Sequence, residues 1–205
     1  MNMKEEYKTA ELDLRLWRQL YQTYTLLKRC EDSIFEEHGL TTEQYAVLVS
    51  IEFLGGPARI TDIARWLERS TNSISMIVDR MVKAGLIRRV RDKGDRRVVF
   101  VSKTSKAESR FKPATVASFE SIRKMLSPVP YEDRHSLFNL LGEVKYAVLR
   151  CLNPGADIEE IKRNELKQAA GTKEWLKKYG SPSSAKAKGQ SGEKRSSKNK
   201  KKKTK

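Results

Sequence analysis

Cysteine is scarce: Cys30 and Cys151 are the only two in 205 residues. They stand far apart and without metal-ligand spacing, which excludes a disulfide framework and suits a reducing compartment. Long apolar runs are absent as well. Nothing approaches the roughly 18 residues needed to cross a bilayer, and the start MNMKEEYKTAE holds no apolar signal region. The expectation is a soluble, cytoplasmic protein with no membrane partner. No Walker A loop, HExxH, GxSxG or framed pair of carboxylates occurs, so neither an enzyme nor a cofactor is expected. Apolar residues make up only 38%, and the deficit is uneven along the chain.

Negative charge is also short, with 26 Asp and Glu against 42 Lys and Arg, a net +16. Residues 181–205 hold nine Lys, one Arg and one Glu, a net +9 that leaves +7 for residues 1–180. The body is therefore basic even without its tail, which favours an anionic partner such as nucleic acid. The tail is too polar to offset its ordering entropy and is expected to be disordered. Its Lys198, Lys200, Lys201, Lys202 and Lys203 are candidates for nonspecific attraction to phosphate.

Ahead of the tail, the apolar pattern is mainly helical. Leu16, Trp17, Leu20, Tyr21, Tyr24, Leu27 and Ile34 recur at three- and four-residue steps, predicting one helix from residue 11 to about 38 that Gly39 ends. Thr41 and Gln44 have the spacing of a capping box, opening a helix that buries Tyr45, Val47, Leu48, Ile51 and Leu54 and stops at Gly55-Gly56-Pro57. A short helix from Thr61 to Leu67 turns Ile63, Ala64 and Leu67 inward. Another, capped by Ser70 or Thr71, runs to Ala84 and closes at Gly85. Ile87–Val90 and Val98–Val101 read as strands around the turn Asp92-Lys93-Gly94-Asp95. The helical pattern resumes near Ser105, where Pro113 either kinks the helix or marks its start. After the break at Ser127-Pro128-Val129-Pro130, a long helix spans Tyr131–Leu152 with Leu137, Leu140, Leu141, Val144, Val148 and Leu152 aligned. Weaker helical signals follow at 157–169 and 172–179.

The segment from Ile60 to Thr104 is thus two short helices, a glycine stop and two basic strands, the order of a helix-turn-helix followed by a β-wing. On its second helix Ile74, Ile77, Val78 and Met81 lie on one side. Asn72, Ser75, Met76 and Asp79 lie opposite, flanked by Ser73 and Arg80. Small polar residues at a helix start suit a major groove, where they reach base edges while free backbone N–H groups face phosphate. The candidate DNA-binding residues of this helix are Thr71, Asn72, Ser73, Ser75, Met76 and Arg80, with Asn72 the one suited to adenine. A plain capped, solvated helix face would look similar; the short preceding helix and the wing favour DNA. Arg88, Arg89, Arg91, Lys93, Arg96 and Arg97 crowd the wing. Such cations repel one another in a plain hairpin but suit phosphates or a narrow minor groove. Lys93, Arg96 and Arg97 are its candidate DNA contacts. Asp95 lies two positions before Arg97 and orients it. A charged edge that blocks strand aggregation is the plainer alternative, and the DNA reading is favoured over it.

The stretches GLTTEQYAVL at 39–48, STNSISMIVDRMVKAGLIRR at 70–89 and DKGDRRVVFVSKT at 92–104 resemble the MarR family of winged-helix transcriptional regulators over roughly residues 11–152. The resemblance implies a winged helix-turn-helix domain at 39–104 and a helical dimerisation region from 11–38 and 105–152. A helical extension at 153–180 and the tail at 181–205 lie beyond the family's usual length. It implies a homodimer on a pseudo-palindromic double-stranded DNA operator, with the family's wing-tip arginine at Arg97 and its partner aspartate at Asp95. Where the family closes the second wing strand with Leu-Thr and a glycine three residues after the Thr, this chain has Lys103, Thr104 and Ala107.

Relatives that respond to phenolic or other small molecules bind them between the two domains. Trp17, Tyr21, Tyr24, His38 and Tyr45 are candidates for such a cleft, although this spacing favours core packing, and His38 favours capping a helix end. No residue set is assigned to an effector. The reactive-cysteine position of the family's organic-peroxide sensors falls near Trp17, against that type of sensing, and Cys30 and Cys151 are expected to be inert. The function expected is a homodimeric, sequence-specific repressor released by a small molecule or other signal. An architectural nucleic-acid binder without a strict operator is the alternative, and a protein-interaction module a third reading.

Overall fold

A computed structural model describes residues 3–91 and 99–180. The expected mainly helical fold with a small β-wing is what it shows: seven helices and three strands among the described residues. Two compact units divide the chain at Ser118.

In the first unit, α1 (Met3–Glu37) begins well before the expected residue 11, because nothing breaks the helix there and Glu5 and Glu6 sit favourably in its first turn. Its C-terminus packs on α2 (Thr42–Phe53): Phe35 stacks on Tyr45 with ring centroids 4.0 Å apart, and Phe111 lies 5.5 Å from Tyr45. The Thr41–Gln44 capping box is present, and Val47, Leu48 and Ile51 are buried. Leu54 is not: it is the C-cap of α2 and is exposed, since the chain leaves the helix there. Trp17, Tyr21 and Tyr24 are likewise exposed within the chain, which corrects the expectation that they form its core. Tyr45 is half-buried, set against the core rings of Phe35 and Phe111. Burial pushes its phenol up to about 12, above the usual 10. A raised folded-state value contributes stability that is complete below pH 10 and lost as pH rises toward 12. Alkaline unfolding of Tyr45→Phe should accordingly be shallower over that window; an unchanged pH profile would remove Tyr45 as its source.

Next come β1 (Ala58–Arg59), a strand the sequence did not announce, then α3 (Ile60–Trp66) and α4 (Thr71–Lys83). Just past α3 and its C-cap Leu67 stands Glu68, a non-glycine residue at φ 51°. Glu68 N–H donates to Arg65 O and Arg69 N–H to Ala64 O, so the left-handed residue is held by its neighbours. A side chain in that conformation costs about 1–2 kcal/mol. Glu68→Gly should therefore raise stability by up to about 1 kcal/mol after the extra unfolded-state entropy of glycine is subtracted, as measured by urea denaturation; a loss of stability would mean that Glu68 has a role beyond the turn.

Strands β2 (Ile87–Arg91) and β3 (Val99–Lys103) flank residues 92–98, and the antiparallel sheet has the order β1-β3-β2. The second strand runs to Lys103, past the expected end at Val101, because Ile87 pairs with Lys103 and Arg89 with Val101. Helix α5 (Ser105–Leu126) starts at Ser105 with Pro113 inside it, which decides between the two readings of that proline.

The second unit contains the end of α5 from Phe119, then α6 (Tyr131–Leu152) and α7 (Ile158–Tyr179). The two weak signals after residue 156 form one continuous helix. Gly171 in its middle costs about 1 kcal/mol, and contacts on both sides of it hold α7 in place. Glu165 accepts from the Tyr146 hydroxyl at 2.7 Å, while Trp175 meets Phe119 edge-on at 6.4 Å. Arg123 donates to the carbonyl of Gly180 at 2.7 Å. No residue of α6 is buried. No helix among the described residues is long and apolar enough to cross a membrane, and no group of three or more His, Cys, Asp or Glu among them is placed to hold a metal.

Candidate nucleic-acid interface

Helix α4 has the two-sided character its sequence indicates. Ile74, Ile77, Val78 and Met81 are buried, and Thr71, Asn72, Ser73, Met76, Asp79 and Arg80 are exposed, with Ser75 half-buried. Of the two candidate caps, Ser70 is the N-cap, accepting from Ser73 N–H at 3.2 Å. The other end closes at Gly85, whose φ of 69° reverses the chain. There Leu86 N–H donates to Met81 O and Gly85 N–H to Val82 O, both at 2.9 Å. Leu86 is buried, so the turn that ends α4 also fixes where β2 begins.

Most polar groups on the exposed side of α4 already have local partners. The hydroxyls of Ser70 and Ser73 lie 2.9 Å apart, Ser75 donates to Thr71 O at 2.8 Å, and Arg80 Nε donates to Met76 O at 3.3 Å. Asp79, which its position on the helix turns away from the core, forms an ion pair with Arg89 of β2. Sequence reading missed this pair, although alternation along β2 contains the signal. Arg89 lies on the same face as buried Ile87, toward the helix, while Arg88 lies on the other, donating to Ser102 Oγ at 3.4 Å. Arg91 is exposed at the end of β2. The wing candidates Lys93, Asp95, Arg96 and Arg97 fall outside the described residues, as do the tail candidates Lys198, Lys200, Lys201, Lys202 and Lys203.

Thr104 joins the wing to the helices. Its hydroxyl donates to Gly85 O at 2.8 Å, and the hydroxyl oxygen, Oγ1, accepts from Ala107 N–H at 3.2 Å. Thr104 thus caps α5 while gripping the end of α4, and Ala107 fits with no exposed surface where the family carries glycine. Lys103 is also accommodated. Its ammonium pairs with Glu52 of α2 and, at 2.6 Å, with Glu108 of α5, and lies 4.5 Å from the centre of the Phe111 ring. Only 9% of its side chain is exposed. A cation of the wing strand is therefore spent inside the domain, holding α2, β3 and α5 together. Cys30 is half-buried and Cys151 exposed, and neither forms a disulfide.

Residues 40–99 match the family model described as MarR family. The chain is 28% identical over 122 residues to the HTH-type transcriptional regulator PecS of Dickeya dadantii, a match covering 58% of this chain and 74% of that protein. It is 34% identical over 96 residues to the transcriptional activatory protein BadR of Rhodopseudomonas palustris, covering 46% and 55%. Among solved structures, the organohalide-sensing regulator RdhR-CbdbA1625 superposes with a TM-score of 0.62 at 27% identity, over 71% of this chain and 86% of that one. The mostly helical fold with a small three-stranded antiparallel sheet is what the solved structure and this chain have in common. The segment 40–99 is thus of the MarR family of transcriptional regulators, and the described residues have a winged helix-turn-helix fold.

Proposed function

We propose that the protein is a homodimeric, sequence-specific DNA-binding repressor, with α4 entering the major groove and the wing reaching the minor groove. The observation that carries the reading is the open face of α4, at whose edge Asp79 is held by an ion pair with Arg89. A helix of this kind inserts its first turns into the groove, with Thr71, Asn72, Ser73, Ser75, Met76 and Arg80 toward DNA. Lys93, Arg96 and Arg97, with Asp95 orienting Arg97, are assigned to the wing contact, where arginine suits a narrow and electronegative groove.

The dimer rests on exposed apolar side chains. Leu14, Trp17, Tyr21 and Tyr24 follow one another at three- and four-residue steps on α1, each more than 60% exposed, and α6 leaves Leu137, Phe138, Leu140 and Leu141 open. Areas of this kind mark association surfaces. We assign 11–38 and 105–152 to dimerisation, 39–104 to DNA binding and 153–180 to a helical extension. A small molecule is the proposed releasing signal, supported by the existence of the similar organohalide-sensing regulator in a 2,4-dichlorophenol-bound form.

The +9 charge of residues 181–205 favours a second reading, an architectural binder without a strict operator. Asn72→Ala separates the two. A bidentate adenine contact predicts a loss of about 1–3 kcal/mol on the preferred duplex and almost none on a scrambled one. Equal losses on both would favour the architectural reading.

A further inference from the structure

We propose that Met76 reads the C5-methyl group of a thymine, within about two base pairs of the adenine assigned to Asn72. This rests on the reading that α4 enters the major groove. Met76 is 61% exposed, whereas Leu54 and Val90, the other exposed large apolar side chains described between residues 40 and 118, keep 40% and 38%. It lies in the middle of a face whose other members are polar, opposite a fully buried row.

Hydrogen-bond commitments on this face narrow what it can read. Ser73 serves the N-cap, Ser75 bonds to Thr71, Asp79 pairs with Arg89, and Arg80 Nε is drawn back to the Met76 carbonyl. Thr71, Asn72 and Met76 remain, and of these Asn72 and Met76, one polar and one apolar, stand four residues apart and therefore on one line along the helix. Four residues rise about 6 Å, and base pairs step by about 3.4 Å, which sets the spacing. Thymine is the base whose major-groove edge offers an apolar group, its C5-methyl, and apolar side chains recognise it by contact. The unbranched thioether of methionine adapts to such a contact without requiring a fixed angle.

The test uses the full chain and the duplex it retains from a random-sequence pool, with deoxyuridine replacing thymidine at one position at a time. This change removes the methyl group and leaves base pairing intact. At one thymine in a half-site, wild-type binding should weaken about fourfold, the effect of one methyl group withdrawn from contact. Met76→Ala and Met76→Gln should bind the thymine and uracil duplexes equally at that position. Indifference of the wild type to uracil at every position overturns the proposal, and so does a full uracil penalty in both variants. Purine N7 methylation on the same duplex identifies the source of a failure. If it blocks binding while uracil does not, only the Met76 assignment falls; if neither matters, the major-groove reading falls with it.

Discussion

Replacing Trp17 by Glu together with Tyr21 by Lys should abolish dimer formation and weaken operator binding by about 100-fold or more. The reasoning begins with α1 alone. From Glu5 to Arg29, only Leu20 is other than exposed, although this stretch carries Leu14, Trp17, Tyr21, Tyr24 and Leu26. Full burial of such side chains is worth about 1.5–3 kcal/mol each, a gain the single chain leaves unused. In the proposed dimer a second copy recovers it. The two substitutions leave the isolated helix intact, because an acid four residues before a base stabilises a helix by about 0.2–0.5 kcal/mol. In an interface, the same two charges must be stripped of water. The effect on DNA follows from linkage: two recognition helices bind one duplex with high effective concentration, and two separate chains do not. Sedimentation velocity and a gel shift on the selected duplex check both parts. A variant that still sediments as a dimer would remove this face of α1 from the interface.

The second large effect is expected at Lys103. Lys103→Leu, which restores the residue the family usually carries, should cost about 2–3 kcal/mol even though leucine suits a buried strand end. Breaking a fully buried pair costs about 3–5 kcal/mol; partial exposure of Glu52 and Glu108, at 18% and 34%, lowers the figure. The cost arises because two carboxylates converge on the ammonium. Glu108 has little other compensation, since its second oxygen lies 3.9 Å from Lys112 without a hydrogen bond. Adding Glu52→Gln and Glu108→Gln to Lys103→Leu should recover most of the loss, because the three groups act as one unit. Urea midpoints of the single and triple variants measure this. A Lys103→Leu protein as stable as the wild type would mean that the cluster contributes nothing net.

These two sites also mark where sequence reading succeeded and where it stopped. Local signals were legible: the Thr41–Gln44 capping box, the Ser70 cap, the Gly85 turn and the buried row from Ile74 to Met81 all depend on residues within a few positions of one another. The candidate face of α4 was legible for the same reason. Periodicity on α1 revealed an apolar stripe but not what covers it, because a stripe that meets its own chain and one that meets another look alike in sequence. That ambiguity is why Trp17, Tyr21 and Tyr24 read as core. Lys103 was visible as a departure, but its partners stand far away in sequence at Glu52 and close by at Glu108, and only the fold brings both to one ammonium. Asp79 and Arg89 are closer in sequence, yet their pairing requires β2 to lie beside α4. The continuity of α7 was obscured by Gly171, whose cost is offset by contacts with distant residues.

The most direct test of the central claim is a footprint of the purified full chain on the DNA flanking its own gene, at near-physiological salt. The expected result is a discrete, two-fold symmetric protected site with half-sites about one helical turn apart, weakened on Asn72→Ala. Diffuse protection that fades as salt rises, with no preferred site in a genome-wide pull-down, would contradict a specific dimeric regulator and leave a general DNA binder in its place.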